Sequence, residues 1–119
     1  MKKIIAFFLV VSLPLFGTRP KVVSFDKLQH RGWLTYISNQ DTPFTGKAVS
    51  FYANGQKRQE ASYKDGKHHG LWSWWYENGQ MRQQINYKDD KKDGPFILWN
   101  EKGKEIRREN YKDGEIVKD

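Results

Sequence analysis

With 119 residues the chain can build one small domain with a modest core, and its 21 lysines and arginines against 14 acids leave a net charge of +7. It has no cysteine, which excludes a disulfide framework, a thiolate metal site, a cysteine nucleophile and the acylated cysteine of a lipoprotein. Bases alternate with acids, as in Lys88-Asp89-Asp90-Lys91-Lys92-Asp93, where a nucleic-acid binder would cluster them, so nucleic acid is not an expected partner.

Residues 1–17 read as a secretory signal peptide. Lys2 and Lys3 precede an apolar run, Ile4 to Val11, that continues through Leu13, Leu15 and Phe16 to Gly17. As a helix, Ile4 to Phe16 would reach only about 20 Å against a hydrocarbon core of about 30 Å, so export is expected rather than a membrane span. The predicted location is periplasm, cell envelope or medium. Without Lys2 and Lys3 the balance is 19 bases against 14 acids, or +5.

Residues 18–43 are expected to form a short lead followed by a degenerate N-terminal cap. His30 to Tyr36 reads as a turn and a strand, and Asn39 to Pro43 as a loop, which together would pair with whatever follows and shield its edge.

From residue 44 to 119 a 24-residue unit runs three times, with boundaries at 46–69, 70–93 and 94–117. Gly46, Gly70 and Gly94 keep this phase, as do Gly55, Gly79 and Gly103, the aromatics Phe51, Trp75 and Trp99, and Tyr63, Tyr87 and Tyr111. Each unit reads as two strands. Asn54-Gly55 and Asn78-Gly79 predict type I′ hairpin turns, with Lys102-Gly103 in the same place, and Lys64-Asp65-Gly66 and Lys112-Asp113-Gly114 supply the second turn. The predicted fold class is all-β, an elongated antiparallel sheet of tandem hairpins in which each unit packs only on its neighbours.

Side chains alternate along a strand, so parity sorts them onto faces. Met81, Ile85 and Tyr87 fall on one face of the second strand, and Arg82, Gln84 and Asn86 on the other. In the first strand Trp72, Trp74 and Tyr76 oppose Leu71 and Trp75, so both faces are apolar. The column Phe51, Trp75, Trp99, aromatic in every unit, is the expected core, joined by the tyrosine column. The column Ser50, Trp74, Leu98 varies in size and polarity as a surface position would.

Phe51-Tyr52-Ala53-Asn54-Gly55-Gln56, Trp75-Tyr76-Glu77-Asn78-Gly79-Gln80 and Tyr63-Lys64-Asp65-Gly66-Lys67, with Pro43-Phe44-Thr45-Gly46 ahead of them, resemble the MORN (membrane occupation and recognition nexus) family. The likeness is to the bacterial variant found in YwqK-type antitoxins, and it covers roughly residues 43–114. It implies a hairpin array used for protein or lipid contacts. An antitoxin role would follow from the same likeness, against which stands the export signal.

No catalytic constellation, cofactor motif or metal site is found. His68-His69 diverge on a strand or turn, and the aspartates lack the spacing of a calcium loop. The expected function is therefore a non-enzymatic, exported protein-binding or scaffold module of the cell envelope. Its candidate contact patch is Trp72, Trp74, Tyr76 and Arg82, for which core packing is the competing reading. A protein partner is expected first; a cell-wall glycan or an anionic membrane surface are the alternatives.

Overall fold

A computed structural model describes residues 20–118, so the signal-peptide reading of residues 1–17 lies outside it. The strands are β1 (Val22–Ser24), β2 (Leu28–Arg31), β3 (Leu34–Ile37), β4 (Gly46–Phe51), β5 (Lys57–Lys64), β6 (Lys67–Trp75), β7 (Met81–Lys88), β8 (Lys91–Trp99), β9 (Glu105–Lys112) and β10 (Glu115–Val117), with a 3-10 turn at Phe25–Lys27. Strands β4 to β10 follow one another as antiparallel hairpins in a single sheet, and β1 joins its first edge parallel to β4. Thus the sheet is the expected array of tandem hairpins, extended by one parallel strand. The cap divides its work: β1 pairs with the first repeat, while β2 and β3 form a separate hairpin that lies over it.

The turn types are exchanged relative to the sequence reading. At the Asn-Gly tips only glycine has positive φ, 89° at both Gly55 and Gly79, and the loop has three residues. Tyr52 N–H donates to the Gln56 carbonyl at 2.8 Å and Gly55 N–H to the Tyr52 carbonyl at 3.0 Å, a type I turn closed by a left-handed glycine. Asn54 stays out of that region because its Oδ1 accepts the Gln56 N–H (2.9 Å). Its Nδ2 donates to the Glu77 carbonyl of the next repeat (3.0 Å). The two-residue turns with both φ positive are at the other end of the sheet: Asp65-Gly66, Asp89-Asp90 and Asp113-Gly114. Asp90 holds glycine's place with φ 69°, and its Oδ1 accepts the His68 N–H at 2.7 Å.

Cross-strand register assigns the faces. One carries Tyr63, Tyr87 and Tyr111 together with Ala48, Ala61, Trp72, Ile85 and Phe96; the other carries Phe51, Val49, Ser73, Trp75, Ile97 and Trp99. Although Ser73 and Ile97 are buried on the other face, the main core lies on the tyrosine face. Phe44, Ala48, Ala61 and Tyr63 are buried there, packed by Val23, Phe25, Leu28 and Ile37 of the cap and by Trp72. This corrects the expected core: Phe51 is 57% exposed and Trp75 and Trp99 are half-buried on the opposite face. Identity across repeats had pointed to burial, but burial is decided by the cap, which covers the other side.

A second correction concerns Met81. Trp74 pairs with Gln83 and Trp75 with Met81, so Arg82 is an extra residue in a bulge. Met81 is thereby turned onto the face of Trp75, away from Ile85 and Tyr87. The same bulge recurs between Ser50 and Phe51 and between Leu98 and Trp99.

Candidate binding surfaces

Trp72, placed in the contact patch by its sequence, belongs to the core. Its ring stacks on His68 (4.5 Å between centroids, 14° between planes) and lies against Phe25, Trp74 and Tyr87. Its Nε1 donates to Gln59 Oε1 at 3.0 Å, which satisfies the indole N–H inside the sheet. His68 is therefore a packing residue, sandwiched between Tyr63 (4.5 Å) and Trp72 and flanked by Tyr87 (5.2 Å). Burial holds its pKa below the ordinary 6.5, outweighing the opposing pull of Asp90 and aided by His30. Burial, reinforced by the Asp90 carboxylate, pushes the Tyr63 phenol up to about 12. His69 Nδ1 lies 3.5 Å from Asp89 Oδ1. Among the described residues no group of three or more His, Asp or Glu side chains is arranged to hold a metal ion.

Tyr76 couples its repeat to the next, with Arg82 beside its ring. The Tyr76 hydroxyl donates to the Trp99 carbonyl (2.8 Å), and the Arg82 guanidinium lies 5.7 Å from the Tyr76 ring. One repeat earlier Tyr52 donates to the Trp75 carbonyl (2.6 Å) with Arg58 6.0 Å from its ring. In the third repeat Asn100 stands at this position and its Oδ1 instead accepts the Lys102 and Lys104 N–H groups.

Trp74 differs from these. It is half-buried on the tyrosine face, in register with Gln59 and Gln83, and among the described residues its ring stacks on Trp72 alone (5.9 Å). Beyond it the same face continues through Leu98 and Phe96, both half-buried and past the residues that the cap packs against. Cations lie over this strip: Lys92 Nζ is 4.9 Å from the Tyr111 centroid and 5.8 Å from that of Phe96, and the Arg107 guanidinium is 5.6 Å from Phe96.

The opposite face carries no described cap residue. Across the strands its outer row reads Phe51, Lys57, Trp75, Met81, Trp99, Glu105, an aromatic on every second strand. Lys57 Nζ is 5.4 Å from the Trp75 centroid, and Gln56, Lys57, Trp75 and Gly79 line a shallow hollow of about 200 Å³. An aromatic column constant in every repeat reads as core from the sequence, which hides this surface. A signal was present: Lys57, Met81 and Glu105 occupy the same phase, a mixture that a buried column would not tolerate.

A family model described as the MORN repeat variant matches residues 44–65 and 69–89, which are the first two repeats. No curated protein and no solved structure matches the chain.

Proposed function

We propose that the chain is an exported, non-enzymatic scaffold module of the cell envelope that holds a protein partner on the uncapped half of its tyrosine face. The observation that carries this reading is the strip Trp74, Leu98 and Phe96, which continues the apolar core beyond the cap and ends beneath Lys92 and Arg107. Large aromatics next to an arginine are the composition that dominates protein-binding energy. The MORN-variant repeats support a binding role, and the apolar run behind Lys2-Lys3 supports export. The non-enzymatic reading is supported by His68, whose ring is committed to stacking between Tyr63 and Trp72.

The test is affinity capture from an envelope extract, followed by equilibrium binding of the captured protein to the wild-type chain and to Trp74→Ser. Serine already occupies this position in the first repeat, as Ser50, so the strand accommodates it. The substitution removes one stacking contact with Trp72, worth about 1 kcal/mol of stability. It should weaken binding by about 2 kcal/mol or more. Unchanged binding by Trp74→Ser would refute this surface.

A further inference from the structure

We infer that the opposite face is a second, independent site, which binds a neutral, extended β-1,4-linked glycan along the row Phe51, Trp75, Trp99. These aromatics recur on every second strand, and strands lie about 4.8 Å apart, so the rungs are spaced by about 10 Å. An extended β-1,4-linked pyranose chain repeats every two sugars over a similar length, presenting the same ring face at each repeat. The axial C–H face of a sugar is apolar and packs on an aromatic ring, while its equatorial hydroxyls seek hydrogen bonds at the side. A row of polar groups runs beside the aromatics on the same face: Glu60, Gln84 and Arg108, in register with Val49, Ser73 and Ile97.

The pitch is held before any ligand arrives. Tyr52 bonds to the Trp75 carbonyl and Tyr76 to the Trp99 carbonyl, so the second and third rungs are each tied to the preceding repeat through their own backbone. A preorganised spacing lowers the ordering cost of binding a chain of matching period.

Charge argues for a neutral occupant. Lys47 and Lys57 both reach Glu60, at 3.5 and 2.8 Å, and Arg108 forms a two-pronged pair with Glu105 at 2.9 and 3.0 Å. A nucleic acid, an acidic peptide or an anionic lipid surface would gain most from a cluster of free bases, whereas here three bases meet two carboxylates and leave a single excess positive charge.

The experiment is titration of the purified chain with cellohexaose and chitohexaose, with maltohexaose as the α-linked control, followed by tryptophan fluorescence and calorimetry. Either β-linked hexamer should bind, the corresponding dimer should bind far more weakly, and maltohexaose should not bind. Phe51→Ala, at a side chain 57% exposed, should leave the melting temperature in place and weaken the hexamer by about fivefold to tenfold; Trp99→Ala should weaken it by about tenfold or more. Failure of both β-linked hexamers to bind the folded chain overturns the proposal. So does equal binding of maltohexaose, or insensitivity to Phe51→Ala and Trp99→Ala together. If these two variants instead abolish capture of a protein, the row is a protein site and the glycan assignment is wrong. A negative result here leaves the Trp74→Ser experiment unaffected, because that strip lies on the other side of the sheet.

Discussion

The first and second repeats solve the same burial problem in opposite ways. Beneath the cap, Ala48 and Ala61 are 0% exposed, and their small side chains leave room for Phe25, Leu28 and Ile37 to fill the face. One repeat later the same positions hold Trp72 and Ile85, which cover the face with their own bulk. Phe44 in the first repeat likewise gives way to His68 and then to Lys92 as the cap is left behind. Residue size within a repeat column therefore records what lies above it. In an array, variation between units is as informative about packing as constancy is.

The largest test of this contrast is to empty the self-filled position. Trp72→Ala should cost about 3 to 5 kcal/mol in chemical unfolding, since the indole packs on His68, Trp74, Tyr87 and the Phe25 ring of the cap and leaves all four facing a void. A cost below about 1 kcal/mol would show that the second repeat does not depend on its own tryptophan.

The two aspartate-glycine turns offer a smaller and sharper comparison. Gly66 (φ 83°) lies under the cap, where an added Cβ would meet Leu34 Cβ, Pro43 Cβ and the Thr35 carbonyl, each at 3.1 Å. Gly114 has φ 90° with nothing within 4 Å of that position. Alanine at Gly114 should cost about 1 kcal/mol for the left-handed backbone alone. At Gly66 the same change should cost about 2 to 3 kcal/mol, with faster proteolysis of β2 and β3 as the cap is pushed off. Equal effects would mean that the cap does not press on this turn.

Acid sensitivity separates the repeats most gently. His68 is a base whose folded pKa is depressed, mainly by burial, so protonation favours the unfolded chain. Its contribution is complete above the unfolded value of 6.5 and is lost as pH falls through that value toward the folded one. Asp90 and His30 are the charged or titratable neighbours acting on it, with the Tyr63 and Tyr87 rings packed against it. Glu60, held low chiefly by its hydrogen bond from Lys57, loses its contribution only below the ordinary 4.5, so the His68 window opens first as the pH falls. His68→Phe, which copies Phe44, should flatten the stability profile as pH falls below the ordinary 6.5. A profile unchanged by the substitution would remove His68 from the account.

Much of the fold was legible because glycine and tyrosine phase, strand length and turn chemistry all point to hairpins with a 24-residue period. The choice of core face was not legible. Both faces of the Trp72 to Trp75 segment are apolar, and the segments that settle the matter, Val23, Phe25, Leu28 and Ile37, lie outside the repeat and share none of its phase. Parity failed at Met81 for a different reason: the bulge at Arg82 is one residue long, and one residue reverses a strand's faces. The exchange of turn types has a local cause, the Asn54 side chain bonding the Gln56 N–H and so favouring a three-residue loop. Of the four expected contact residues, Trp72 packs with the core, Tyr76 bonds to the next repeat, Arg82 is an exposed bulge residue beside Tyr76, and Trp74 lies on the uncapped strip.

The central claim is that the tyrosine face holds the capped core and that the Phe51 face, where Ser73 and Ile97 are buried, carries no described cap residue. Paired chemical unfolding of Phe44→Ala and Phe51→Ala tests it most directly, because the two changes delete the same ring, one 3% and the other 57% exposed. The account predicts a loss of about 3 to 5 kcal/mol for Phe44→Ala and less than about 1 kcal/mol for Phe51→Ala. The reverse order, with Phe51→Ala unfolding the chain and Phe44→Ala tolerated, would contradict it.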